Sequence, residues 1–324
     1  MPFRTALTEL LGIRHPIVLA PMGATSGGAL AAAVTRAGGL GLIGVGYADD
    51  DFINREFDAA GNQPVGIGFI TWDLAKTPRR LETALGRKPR AVMLSFGDAS
   101  PYVRPIKDSG AKLIMQVQSL SLAREAKKLG ADVIIAQGVE AGGHGGDPNN
   151  GRSTFPLVPT VVDAVAPVPV LAAGGVADGR GLAAALALGA AGVLIGTRFI
   201  AATESLSHVN VKQRVAAASG DDTLRTRIFD IARAIDWPGQ YTGRAIANDL
   251  SARWHGREQA LTDSLDIERP RYFEAAGKGD TGTMVVWAGE GLDLIKDIQP
   301  AEKIVERIVA EAEAALARAS AARI

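Results

Sequence analysis

The chain has 324 residues, 47% hydrophobic and 22% charged, enough to bury one large core or two modest ones. Its 35 Lys plus Arg balance 35 Asp plus Glu, which gives no electrostatic case for a nucleic acid or an anionic membrane and leaves a small molecule as the expected ligand. The absence of cysteine excludes disulfides, cysteine nucleophiles and thiolate metal sites.

The opening Met1-Pro2-Phe3-Arg4-Thr5 carries no apolar leader and no later apolar run is long enough to span a bilayer, so a cytoplasmic protein is expected. Eight β-rich apolar runs then recur every ~20 to 35 residues, the spacing of βα units in a parallel sheet. They begin near Ile17-Val18-Leu19, Leu40-Gly41-Leu42-Ile43, Val65-Gly66-Ile67-Gly68-Phe69, Ala91-Val92-Met93-Leu94, Lys112-Leu113-Ile114-Met115, Asp132-Val133-Ile134-Ile135, Val168-Pro169-Val170-Leu171 and Ala191-Gly192-Val193-Leu194-Ile195. Helical patterns such as 119–129 and 179–188 end at Gly130-Ala131 and Gly189-Ala190, where glycine is the expected terminator. Eight such units in about 200 residues predict an α/β fold of the closed (β/α)₈ barrel type. An open dinucleotide-binding sheet would want G-x-G-x-x-G after its first strand. Here the first strand runs instead into Ala20-Pro21-Met22-Gly23-Ala24-Thr25-Ser26-Gly27-Gly28, a loop that can lie flat against a ring.

From about 207 to 275 no further strand is expected. This stretch holds helix-like patterns and the aromatics Phe229, Trp237, Tyr241, Trp254, Tyr272 and Phe273. It reads as an inserted, mainly helical, substrate-side domain, with 1–206 and 276–324 forming the barrel. Most of its aromatics are expected to pack the insertion rather than line a pocket. The glycine-rich 277–283 and the following Met284 to Gly291 should return to the barrel mouth. The last helix, 302–318, places Ile304, Val305, Ile308, Val309, Ala312 and Leu316 on one face, so it should dock on the barrel exterior.

The chemistry concentrates in Ala136-Gln137-Gly138-Val139-Glu140-Ala141-Gly142-Gly143-His144-Gly145-Gly146, which sets one imidazole in a flexible glycine-rich loop after a β-branched run. His144 is therefore the candidate chemical centre. In a barrel the C-terminal strand ends form the active face, and the loops after the seventh and eighth strands commonly bind phosphate. Those loops here are Ala172-Ala173-Gly174-Gly175-Val176-Ala177-Asp178-Gly179 and Ile195-Gly196-Thr197-Arg198, both suited to cradle an anion. Gln116 and Gln137 end neighbouring strands; each can serve the edge of a heteroaromatic ring or simply face solvent. Glu140, four residues before His144, can orient the imidazole or face solvent. His15, His208 and His255 read as structural or exposed. No HxH or HExxH spacing argues for a metal, and no G-x-S-x-G elbow for a serine hydrolase.

Taken together, His15-Pro16-Ile17 through Met22, Ala37-Gly38-Gly39-Leu40-Gly41, Ala136 to His144, Ala172 to Gly181, and Gly196-Thr197-Arg198-Phe199 with Glu204-Ser205 resemble the nitronate monooxygenase (2-nitropropane dioxygenase) family across essentially the whole chain. The resemblance implies an FMN-dependent barrel that oxidises nitronates or nitroalkanes with O₂ to carbonyl compounds and nitrite. By that resemblance His144 is the catalytic base. Ala20, Pro21, Met22 and Gly23 lie against the flavin, Gly68 and Gln116 sit near its ring, and Gly142 is beside it. Gly174, Gly175, Gly196 and Thr197 would hold its phosphate. The alternatives are an FMN-dependent NAD(P)H reductase acting on a quinone or an enoyl thioester, since such enzymes share the scaffold, and a flavin-binding protein without turnover. A homodimer is the base-rate expectation for assembly.

Overall fold

Short, wholly apolar runs must be covered on both faces, and a closed parallel sheet wrapped by helices does this. The computed structural model describes residues 3–146 and 151–322. Its strands are β1 (Ile17–Leu19), β2 (Leu42–Gly44), β3 (Gly66–Ile70), β4 (Ala91–Ser95), β5 (Lys112–Val117), β6 (Val133–Gln137), β7 (Gly143–Gly145), β8 (Val170–Ala173), β9 (Gly192–Ile195), β10 (Thr223–Thr226) and β11 (Thr242–Ile246). Eight of them run parallel in the order β1-β9-β8-β6-β5-β4-β3-β2. A bridge between Val18 and Leu40 closes the ring, with the Leu19 N–H donating to the Leu40 carbonyl at 2.9 Å and the Leu40 N–H to that of Ile17 at 3.0 Å. All eight strands expected from the apolar runs are in this barrel.

Alternate strand residues fill the interior, among them Val18, Leu42, Met93, Ile114, Ile135, Leu171 and Leu194. Helix Ala6–Leu11 plugs the N-terminal end of the barrel, burying Leu7 and Leu11 in the same cluster. The opposite strand faces pack against the surrounding helices through residues such as Leu30, Val34, Ile53 and Leu182. Helix Ala301–Ala321 docks outside, as its apolar stripe requires, burying Ile304, Val305, Ile308 and Ala312. It lies so close to helix Gly179–Ala187 that a Cβ on Gly179 would stand 2.3 Å from the Ala312 nitrogen. The Glu204 carboxylate accepts from the Ala301 N–H at 3.0 and 3.2 Å and so caps this helix.

Two expectations need correction. The stretch 207–275 carries helices but also β10 and β11, which pair antiparallel. Their segments, Thr-Leu-Arg-Thr and Thr-Gly-Arg-Ala-Ile, show neither a continuous apolar run nor strict alternation, so neither strand signal marks them. The loop expected to hold His144 flexibly is also partly strand: β7 pairs with β11, placing Gly243 opposite His144. Glycine at 243 leaves room for the Trp287 ring, whose Cζ3 would lie 2.3 Å from a Cβ there. Among the described residues no helix is long and apolar enough to cross a membrane.

Leu11 is fully buried. Leu11→Ala should cost about 2–5 kcal/mol of stability by urea denaturation, because the plug cannot collapse onto the void.

Candidate active site

At the C-terminal ends of the barrel strands lies a cavity of about 550 Å³, inside the roughly 300–1,000 Å³ typical of small-molecule and cofactor sites. Met93, Ala173 and Leu194 belong to the barrel's interior cluster and also line this cavity, so the top of the packed core is its floor. The expected base and every residue expected at the cofactor stand on its wall: Ala20, Pro21, Met22 and Gly23 after β1, Gly68 in β3, Gln116 in β5, Gly142 and His144 around β7, Gly174 and Gly175 after β8, and Gly196 and Thr197 after β9. Gly68 is required by close approach, since a Cβ there would meet the Pro21 ring at 2.3 Å. Gly175, at φ +71°, takes a left-handed conformation that brings bare backbone to the wall. The segment after 283 returns to the mouth as expected. Trp287, Gly289 and Gly291 line the cavity, and the Gly289 N–H donates to Thr197 Oγ1 at 3.1 Å.

His144 is held on several sides. Its ring stacks on Trp237 with centroids 3.5 Å apart and planes within 8°. Its Nε2 meets Asp230 Oδ2 at 2.8 Å, and Asp230 Oδ1 accepts from Arg233 Nη2 at 2.7 Å. Its carbonyl accepts from Gln137 Nε2 at 2.9 Å, while Gln137 Oε1 accepts from Gln116 at 3.2 Å and from Gln118 at 2.9 Å. Trp237 is fixed in turn by donating Nε1–H to the Tyr47 hydroxyl at 2.7 Å and by edge contacts with Trp72 and Phe96. Behind β7, Arg225 and Arg244 both donate through Nε to the Val139 carbonyl, at 3.0 and 3.3 Å. Burial and the neighbouring Arg244 push Arg225 down to about 10.

Burial pushes the His144 imidazole below its ordinary 6.5, against the opposing hydrogen bond and charge of Asp230. A neutral ring that gives its Nε2–H to a carboxylate carries its lone pair on Nδ1. Such a ring can take a proton at Nδ1, and the imidazolium so formed meets a carboxylate already in place.

The partner of His144 is therefore Asp230 rather than Glu140, whose carboxylate accepts instead from the Thr154 N–H at 2.9 and 3.1 Å. Gln137 is buried, which removes the solvent-facing alternative. Away from the cavity, His208 Nδ1 accepts from the Asn210 N–H and His255 Nδ1 meets Thr226 Oγ1. Of the insertion's aromatics, Trp237 lines the cavity, and Phe229 and Tyr272 form the insertion's own core. Sequence reasoning missed Asp230, Arg233, Tyr47 and Phe96. The usable signal was an aspartate inside the apolar Ile228-Phe229-Asp230-Ile231-Ala232, since a buried carboxylate needs a partner.

The family model described as nitronate monooxygenase matches residues 4–68 and 58–311. The chain belongs to the nitronate monooxygenase family. It is an oxidoreductase. It is 32% identical to a (3aS,4S,5R,7aS)-5-hydroxy-7a-methyl-1-oxo-octahydro-1H-indene-4-carboxyl-CoA dehydrogenase of Mycobacterium tuberculosis, over 99% of both chains. It is also 32% identical to a nitronate monooxygenase of Neurospora crassa, covering 96% of this chain and 93% of that one. The structure of FabK from Thermotoga maritima superposes with a TM-score of 0.85 at 33% identity, covering 98% of this chain and 99% of that one.

A folded imidazole below its unfolded value binds fewer protons than the unfolded chain, so its share of stability is present above 6.5 and is lost as pH falls below it. His144→Gln should therefore flatten the drop in melting temperature between neutral pH and pH ~5. Parallel pH profiles for the two proteins would mean that burial does not oppose protonation of His144.

Proposed function

We propose that this protein is an FMN-dependent nitronate monooxygenase that converts alkyl nitronates and O₂ to carbonyl compounds and nitrite, with His144 as general base. The observation that carries the proposal is the His144 imidazole, its Nε2 held at 2.8 Å by Asp230 Oδ2, on the wall of a glycine-lined cavity. Membership of the family and the Neurospora relative named nitronate monooxygenase support it.

The residues present fit a flat heterocycle with an anionic tail. The floor is apolar, the Gln116 amide can pair with a ring edge, and the wall is bare backbone where a Cβ on Gly68 would strike Pro21. In this reading Ala20, Pro21, Met22 and Gly23 lie against the ring, Gly68, Gln116 and Gly142 border it, and Gly174, Gly175, Gly196 and Thr197 hold the phosphate. A flavin mononucleotide bound there would supply the redox chemistry with the nitronate and O₂. The protein's own residues supply position and proton transfer. His144 Nδ1 removes the α-proton of a neutral nitroalkane, and Asp230 stabilises the resulting imidazolium. With a preformed nitronate no proton has to be removed, and His144 can donate to a nitro oxygen only as the imidazolium, through Nδ1–H. The 207–275 segment acts as the substrate side by contributing Arg233 and Trp237 to the wall.

The test is O₂ uptake by the FMN-loaded protein given propionate 3-nitronate with no NAD(P)H. Rapid uptake is expected. No uptake, combined with anaerobic bleaching by NAD(P)H, would contradict the proposal and favour a reductase. His144→Asn should lose about 10²–10⁴-fold on neutral nitroalkanes and far less on nitronates, whereas equal losses would remove the base role. For neutral nitroalkanes the acid limb of kcat/KM should lie below pH 6.5. Asp230→Asn should move that limb lower still and reduce kcat, because Asp230 is what raises the His144 pKa.

A further inference from the structure

We propose that Arg233 is the receptor for the oxygens of the substrate's nitro group, gripping the planar anion that forms as His144 takes the proton. The proposal rests on the nitronate reading of this cavity and names the group that recognises the anion. Helix Ile228–Arg233 ends at this residue. Its Nε donates to the Phe229 carbonyl at 3.0 Å, its Nη2 donates to Asp230 Oδ1 at 2.7 Å, and its guanidinium lies 5.4 Å from the centre of the Trp287 ring. These contacts hold the side chain, only 15% exposed, in one place. Among the described residues Nη1 has no protein acceptor, and Arg233 is the one Lys, Arg, Asp or Glu on the cavity wall.

An arginine needed only to balance Asp230 could be buried wholly behind the wall, where Asp230 itself sits. Arg233 instead reaches the cavity, where a guanidinium shielded from water attracts a two-oxygen anion strongly. His144 and Arg233 bond opposite oxygens of one carboxylate. The bonded atoms, His144 Nε2 and Arg233 Nη2, are therefore within roughly 8 Å, two hydrogen-bond lengths plus the width of a carboxylate, so the two side chains are neighbours. Both side chains line the cavity, and the proposed pose sets the nitroalkane's α-carbon at His144 Nδ1 and its nitro group toward Nη1. When the C–H bond breaks, the proton goes to Nδ1 and the electron pair moves through the new C=N bond onto the nitro oxygens. The negative charge thus appears where Arg233 points. A contact that strengthens as charge develops lowers the barrier rather than only tightening the ground state.

Nitrate, a planar and unreactive oxyanion, is the binding probe, titrated into the FMN-loaded protein by calorimetry. Arg233→Met should weaken nitrate binding and raise the KM for a nitronate by about tenfold or more, the usual loss for a charge-assisted hydrogen bond. With a neutral nitroalkane the same variant should lose kcat more than KM. Arg233→Lys should recover part of the nitrate affinity, since it restores a point charge without the fork. A purely structural role, acting through Asp230 and His144, would lower turnover but leave the nitrate Kd unchanged. An unchanged nitrate Kd in Arg233→Met overturns the proposal, as does a wild-type protein that binds no nitrate. Should the Met variant not fold, Arg233→Lys decides: several-fold weaker nitrate binding than wild type is expected, and equal binding overturns. Nitrate binding that depends on Arg233 in a protein that consumes no nitronate would keep the anion receptor and reject the monooxygenase reading.

Discussion

The buried carboxylate of Asp230 is the contact on which the rest of the site depends. One oxygen takes the imidazole of β7 and the other the guanidinium of Arg233. Removing either partner would leave charge or a polar group without compensation in a dry place, where such losses are large. The carboxylate therefore ties the barrel loop to the inserted segment and decides which nitrogen of His144 is free. Trp237 adds a second constraint. With its ring flat against the imidazole and its indole N–H held by Tyr47, it prevents His144 from rotating out of line with Asp230.

The barrel supplies what this constellation cannot. Its packed interior, plugged by helix Ala6–Leu11, gives a rigid floor, and its strand ends give a wall made largely of backbone. The small sheet of β7, β11 and β10 then lays His144 over that floor. Architecture of this kind serves many reactions. In the proposed reading the chemistry rests on the few side chains that β7 and helix Ile228–Arg233 bring to the cavity, and these are the residues whose replacement should separate one reaction from another.

How much of this could be read from the chain alone follows from locality. The eight barrel strands were legible because strands buried on both faces are continuous apolar runs with glycine-terminated helices between them. β10 and β11 were not, because Arg225 and Arg244 interrupt them and hydrogen-bond the Val139 carbonyl of a distant loop. The cavity wall was legible because most of its glycines sit within a few residues of a strand end. The partner of His144 was not: Asp230 is 86 residues away. Glu140 looked like the partner only because it is near in sequence. Its carboxylate is drawn off by the Thr154 N–H across the loop, a contact that spacing alone does not reveal.

Proton abstraction by His144 depends on which ring nitrogen carries the proton. Nitrogen-15 chemical shifts of His144 in the FMN-loaded protein at neutral pH report this directly. The predicted result is a neutral ring, protonated at Nε2 and with a lone pair on Nδ1. A ring protonated at Nδ1, or a doubly protonated one, would contradict this, because the nitrogen not bonded to Asp230 would then have no lone pair with which to take a proton.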